Sequence, residues 1–205
     1  MLRFGIFTLL ASVAVAAPSL TKRDGPIGQV QLISFSYTGK GCNAGRSTRA
    51  VLTPDPTALT LTYNGLVAQA GPDTPSGADH ITCLVGLTLQ IPQGWQFSIV
   101  KVDYHGIAKL PTGVTGTCQA LYFFSGNSQQ TTSSVSIRGP FDDDLVKTDA
   151  LSAGSTTWSP CGNKIVLNIA ATNKISPPNP NQLAVIAVGS NRPNRFYLQW
   201  RTCTI

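Results

Sequence analysis

An all-β fold, an antiparallel β-sandwich of the jelly-roll or immunoglobulin-like kind, is predicted here by three observations. The 205-residue chain has no Glu and no Met beyond the initiator, so good helix formers are scarce. Its 22 Thr, 17 Ser, 19 Gly and 14 Pro supply β-branched and turn-forming residues in abundance. Finally, apolar residues recur with period 2 along nearly all of the chain beyond its N-terminal segment. A helical bundle, a coiled coil and a doubly wound α/β enzyme are excluded by the same composition, and the length suits one domain.

The first segment reads as an address. Arg3 provides a positive start, Gly5 to Val15 is almost wholly apolar, and Ala14-Val15-Ala16 has the small residues of a signal-peptidase site. Residues 1–16 are therefore expected to be a signal peptide with cleavage after Ala16, the apolar run being shorter than the ~20 residues of a spanning helix. Residues 17–23 read as a short propeptide ending in the dibasic pair Lys22-Arg23, which leaves 24–205 as a single β-sandwich domain. Loss of Arg3, Lys22 and Arg23 leaves 12 basic residues against nine Asp and lowers the net charge from +6 to +3. So small a charge argues against nucleic acid as a partner. The chain contains no Asn-X-Ser/Thr sequon.

Alternating runs follow at 29–38, 59–63, 81–91, 95–104, 117–125, 132–138, 164–170, 182–188 and 195–203. Pro54-Asp55-Pro56, Asn64-Gly65, Pro72 to Gly77, Pro92-Gln93-Gly94 and Pro177-Pro178 stand between them as turns. Such spacing predicts about nine to eleven short strands. Within 29–38 the apolar positions shift from Val30 and Leu32 to Ile33, Phe35 and Tyr37, as a β-bulge requires. The run 195–203 sorts its faces clearly. Phe196, Leu198 and Trp200 form a core face, while Arg195, Tyr197, Gln199 and Arg201 form a face that is solvated or binds a ligand.

The cysteines, Cys42, Cys83, Cys118, Cys161 and Cys203, lie 41, 35, 43 and 42 residues apart. That spacing is unlike a zinc site and, in a secreted chain, predicts disulfides between distant strands. Cys118 is the expected free thiol, because it shares a strand face with Ala120, Tyr122 and Phe124 and so points into apolar packing. The other four cysteines allow three pairings.

Catalytic signals are sparse. Without Glu, glycoside hydrolysis would fall to an Asp pair such as Asp103 with Asp149. Asp142-Asp143-Asp144 reads as a solvated acidic turn, with Asp142 and Asp144 a weak calcium candidate. No Gly-X-Ser-X-Gly elbow is present, and His80 and His105 are isolated from each other. No cofactor is expected. Trp95 and Trp200 share faces with core residues, whereas Trp158 precedes Ser159-Pro160-Cys161-Gly162 and is either a ligand platform or a ring packed on a disulfide.

Several strings occur together in order: Gly41-Cys42, GWQFSI at 94–99, YHGIAKLPTGVTGT at 104–117 and YFFSG at 122–126, then GPFDDD at 139–144, WSPCG at 158–162 and YLQWRTC at 197–203. This ensemble resembles the family of secreted, mostly fungal proteins known as domain of unknown function 4360, from about Val30 to Cys203. The resemblance implies that Cys42, Cys83, Cys161 and Cys203 are the family's disulfide cysteines, that Cys118 is an addition, and that His105 stands where Arg is more usual. It implies an extracellular setting, wall-associated or host-facing, and brings no catalytic motif.

The expectation is a secreted, non-enzymatic, monomeric protein that binds cell-wall polysaccharide or a host extracellular protein, in an effector-like role. Its ligand residues would be Trp158, Arg195, Tyr197 and Arg201. The alternative is a polysaccharide hydrolase using an Asp pair.

Overall fold

The computed structural model describes residues 25–42, 48–189 and 192–204. The expected leader and propeptide, with the expected processing positions Ala16, Lys22 and Arg23, lie outside the described residues. In chain order the strands are β1 (Gln31–Thr38), β2 (Arg49–Leu52), β3 (Ala58–Thr62), β4 (Val67–Ala70), β5 (His80–Ile91) and β6 (Trp95–Leu110). They continue as β7 (Thr115–Phe124), β8 (Gln130–Arg138), β9 (Phe141–Ala150), β10 (Asn163–Ser176), β11 (Ala184–Val188) and β12 (Asn194–Thr202). A single 3₁₀ turn, η1 (Lys40–Cys42), follows β1.

These strands form an antiparallel sandwich. One sheet runs β1-β5-β10-β7-β8, and the other runs β2-β3-β12-β6-β11-β4 with β9 paired to β6. The alternation in sequence becomes the layering. Ile81, Cys83, Val85, Leu87, Leu89 and Ile91 of β5 and Ile165, Leu167, Ile169 and Ile175 of β10 are all buried between the sheets. Phe97 of β6 meets Phe124 of β7 edge-to-face across that core at 5.2 Å. Two tyrosines use their polar ends to tie the layers. Tyr122 donates to the Ile99 carbonyl at 2.8 Å, and Tyr104 donates to the Ser133 carbonyl at 3.0 Å. The bulge expected in β1 is present, as a register shift between Leu32 and Ser34 that leaves Ile33 exposed.

β6 organises the second sheet. Its first half pairs with β12, from Trp95 opposite Thr202 to Asp103 opposite Arg195, and its second half pairs with β11. At the handover stands Gly106, where a β-carbon would collide with the Ala187 carbonyl, so only glycine lets the two backbones approach. The opposite edge of β6 is covered by β9 from Leu110 back to Lys101. Beyond β9, Leu151, Ser159 and Gly162 donate backbone hydrogen bonds to Val100, Phe97 and Trp95, so the segment 151–162 runs along the same edge.

β9 corrects the sequence reading. Asp142-Asp143-Asp144 is not a turn but part of a ten-residue strand, opposite Lys109, Ala108 and Ile107. Its own apolar alternation is poor, so the strand is imposed by pairing with β6. Charges on a strand with one open edge also discourage pairing with other chains. β2 and β4, four residues each, are likewise strands that the alternation alone does not mark.

The disulfides are Cys42–Cys83, which joins η1 to β5, and Cys161–Cys203, which joins the loop before β10 to the end of β12. Cys118 is a free, buried thiol. Burial raises its pKa to about 12, since a thiolate has nothing there to replace water. We expect a thiol reagent at pH 8 to leave the native protein unlabelled and to label one thiol per chain after denaturation, read by mass spectrometry. Because the folded pKa is raised, the stability that Cys118 contributes is full below its unfolded value near 8.5 and is lost as pH rises toward 12.

Candidate ligand-binding face

Alternation along β12 puts Phe196, Leu198 and Trp200 into the core and turns Arg195, Tyr197, Gln199 and Arg201 outward. The neighbouring strand β6 contributes outward Lys101 and Asp103, which sit opposite Tyr197 and Arg195. From Arg195 to Arg201 this face extends about 20 Å, at roughly 3.3 Å per residue.

At one end of the strip the Tyr197 ring supports two cations. Lys101 Nζ lies 3.6 Å from the ring centroid and the Arg195 guanidinium carbon lies 5.0 Å from it. The Tyr197 hydroxyl donates to Asp103 Oδ2 at 2.7 Å, and Thr148 of β9 donates to Oδ1 at 2.7 Å. Partial burial works against charge on Asp103. The Thr148 and Tyr197 hydroxyls, with Lys101, outweigh it and hold the carboxyl below its ordinary range.

At the other end, the Arg201 guanidinium lies over the Trp158 ring, 3.8 Å from its centroid. Gln96 of β6, opposite Arg201 in the ladder, braces it from a second direction. With the amide oxygen turned to the guanidinium, Gln96 accepts from Arg201 Nε at 2.8 Å and Nη2 at 3.2 Å while its nitrogen donates to the Ser159 carbonyl. Arg201 borders an open cleft of about 600 Å³ lined also by Gln96, Thr202, Thr204 and the Cys161–Cys203 bridge. Trp158 is half-buried, and Arg201 covers one of its faces. One face of the ring is therefore not bare. It is the bed of an arginine.

Trp158, Arg195, Tyr197 and Arg201 thus share one surface. Lys101 and Gln96 belong to it as well, and sequence reasoning missed them. Their only signal was outward position on β6, and the register that sets them against β12 is invisible in the sequence.

The remaining candidates are not brought together. Asp103 faces outward with Thr148, whereas Asp149 is opposite core residue Val102 and turns inward, where it accepts from Ser133 Oγ at 2.8 Å and the Ser134 amide at 3.0 Å. The two carboxylates occupy opposite faces of a sheet and cannot flank one glycosidic bond. Asp142 and Asp144 share a side of β9, but Lys109 and Arg192 each approach one of them, both at 3.1 Å. Among the described residues no group of three or more His, Cys, Asp or Glu is placed to hold a metal ion. His80 begins β5 and His105 lies in mid-β6, in different sheets.

Comparison with known proteins adds the relationship. Residues 28–203 match the model of the family described as domain of unknown function (DUF4360). The chain belongs to this family. A relative in Arthroderma benhamiae, described as an uncharacterized secreted protein, is 33% identical over 179 residues, which is 86% of this chain and 73% of the relative. This DUF4360 protein is likewise secreted, with two disulfides in its sandwich. Among the described residues no helix is long and apolar enough to cross a membrane. Among solved structures, a family 11 carbohydrate-binding module from Clostridium thermocellum, in complex with a β-1,3-1,4-mixed-linked tetrasaccharide, aligns over 82% of this chain and 90% of its own. The identity is 11% and the TM-score 0.24.

Proposed function

We propose that the protein acts outside the cell by binding, and that it holds an extended cell-wall polysaccharide along the outward face of β12. One observation carries this reading: Lys101, Arg195 and Arg201 are each held on an aromatic ring, along one outward face of β12 and β6 that has a register shift between its two ends. Side chains already held in place lose little conformational freedom on binding. A row about 20 Å long suits a polymer better than a small solute, which would need an enclosed pocket. The biological setting that follows is the fungal wall or a host surface, where the protein would work in an effector-like manner. Arg195 and Arg201 also carry no carboxylate partner within ion-pair distance among the described residues, so their charge is available to a ligand.

The test is retention of the secreted protein on insoluble wall polymers, namely chitin, β-glucan, cellulose and pectin-rich wall, with sugar release assayed in the same tubes. Saturable retention without release is expected, weakened about tenfold by Tyr197→Ala combined with Trp158→Ala. No retention on any polymer, or release that an Asp→Asn change abolishes, would overturn the reading.

A further inference from the structure

The chemistry of the strip says more about the ligand. Arg201 has five N–H donors. Gln96 engages Nε and one proton of Nη2, which leaves three donors without a protein acceptor among the described residues. Trp158 beneath the guanidinium and Gln96 at its side fix the plane of the fork. A planar fork held from two directions at the mouth of a cleft is arranged to receive a planar or tetrahedral oxyanion with two parallel hydrogen bonds. The rest of the cleft is uncharged: Gln96, Thr202, Thr204 and the disulfide. Among the described residues no carboxylate lines it.

Along the same face the second cluster repeats the theme. Lys101 and Arg195 share the Tyr197 ring against one carboxylate, Asp103, which lies 3.9 Å from Lys101 Nζ. The strip as a whole therefore carries three cations and one anion. A neutral glycan offers hydroxyl acceptors to these donors but no charge to offset the desolvation of the excess.

We infer that the Arg201 cleft is a subsite for an oxyanion carried on a saccharide, and that the preferred polymer is a polyuronate, whose carboxylates recur along an extended chain. This rests on the polysaccharide-binding reading above and narrows its ligand class. A sugar phosphate offers the same oxyanion chemistry but branches off its polymer as isolated groups, so it can occupy the Arg201 cleft without engaging the Arg195 end.

The test is calorimetric titration of the secreted protein with galacturonate oligomers of eight residues, neutral glucan oligomers of equal length and phosphorylated mannan oligosaccharides. Galacturonate is expected to bind tightest, with affinity falling as salt rises. Arg201→Gln should weaken it about tenfold or more, Arg201→Lys should restore it only in part, and Arg195→Gln should weaken galacturonate but not phosphomannan. Unfolding curves of each variant guard against a loss of fold, which is not expected at exposed Arg201. Galacturonate binding unaffected by Arg201→Gln overturns the inference. So does neutral glucan bound equally well, which leaves the polysaccharide-binding reading intact. Phosphomannan bound most tightly, with Arg201 required, overturns the polyuronate assignment. Failure of all three saccharides to bind overturns the inference, and the reading falls with it only when chitin and cellulose also fail to retain the protein.

Discussion

Replacing both Cys42 and Cys83 by alanine should lower unfolding stability by about 4 kcal/mol or more. The bridge spans 41 residues, and closing a loop of that length restricts the unfolded chain by about 4 kcal/mol in the chain-entropy model. Both sulfurs are also buried, Cys83 completely, so alanine adds the cost of lost packing between η1 and β5. The Cys161→Ala/Cys203→Ala variant removes a bridge of almost the same separation, 42 residues, but from a partly exposed site. It should therefore lose the loop term alone and be the milder of the two. Urea unfolding monitored by tryptophan fluorescence measures both free energies. A larger loss for the Cys161–Cys203 pair would show that packing around Cys42 contributes little. Since domains of this kind have about 5–15 kcal/mol in total, loss of the buried bridge would remove a large share.

Trp200→Ala should cost about 3–5 kcal/mol, the range for deleting a large buried aromatic side chain. Three separate contacts are lost with this ring, which is 4% exposed. Its Nε1 donates to the Pro56 carbonyl at 2.7 Å, and its ring packs on Phe97 with centroids 5.0 Å apart. Gly25 lies so close that a β-carbon there would come within 2.5 Å of the indole, so the ring also holds down the start of the described chain. Trp200→Phe should keep most of the packing and lose mainly the hydrogen bond, at about 1–2 kcal/mol. Trp158→Ala is the instructive contrast. That ring is half-buried and bears Arg201, so its loss should move stability by less than about 1 kcal/mol while weakening ligand retention. Equal destabilisation by Trp158→Ala and Trp200→Ala would make both rings structural and remove Trp158 from the binding face.

These two tryptophans also mark how far local reading reaches. Trp200 alternates with Phe196 and Leu198 in one strand, so its burial follows from period 2 alone. The same holds for Cys118 beside Ala120 and Tyr122, and for the shift at Ile33 that becomes the β1 bulge. Trp158 has no such pattern. Its partner Arg201 stands on another element and meets it only because segment 151–162 is laid along the edge of β6 opposite the one that β12 occupies. Asp149 shows the converse. Linear spacing allowed a carboxylate pair with Asp103, and the β6–β9 register put the two on opposite faces.

The all-β class and the division of each long strand into core and surface faces were determined by the sequence itself. Composition and alternation act on the backbone residue by residue. The tertiary structure decided which cysteines pair, that Phe141–Ala150 is a strand although it carries four Asp, and that Lys101, Tyr197, Arg195, Arg201, Trp158 and Gln96 share one face. Each of these depends on which distant strand becomes a neighbour and in what register. That choice is made by burying every strand's apolar face at once, and no single segment encodes it.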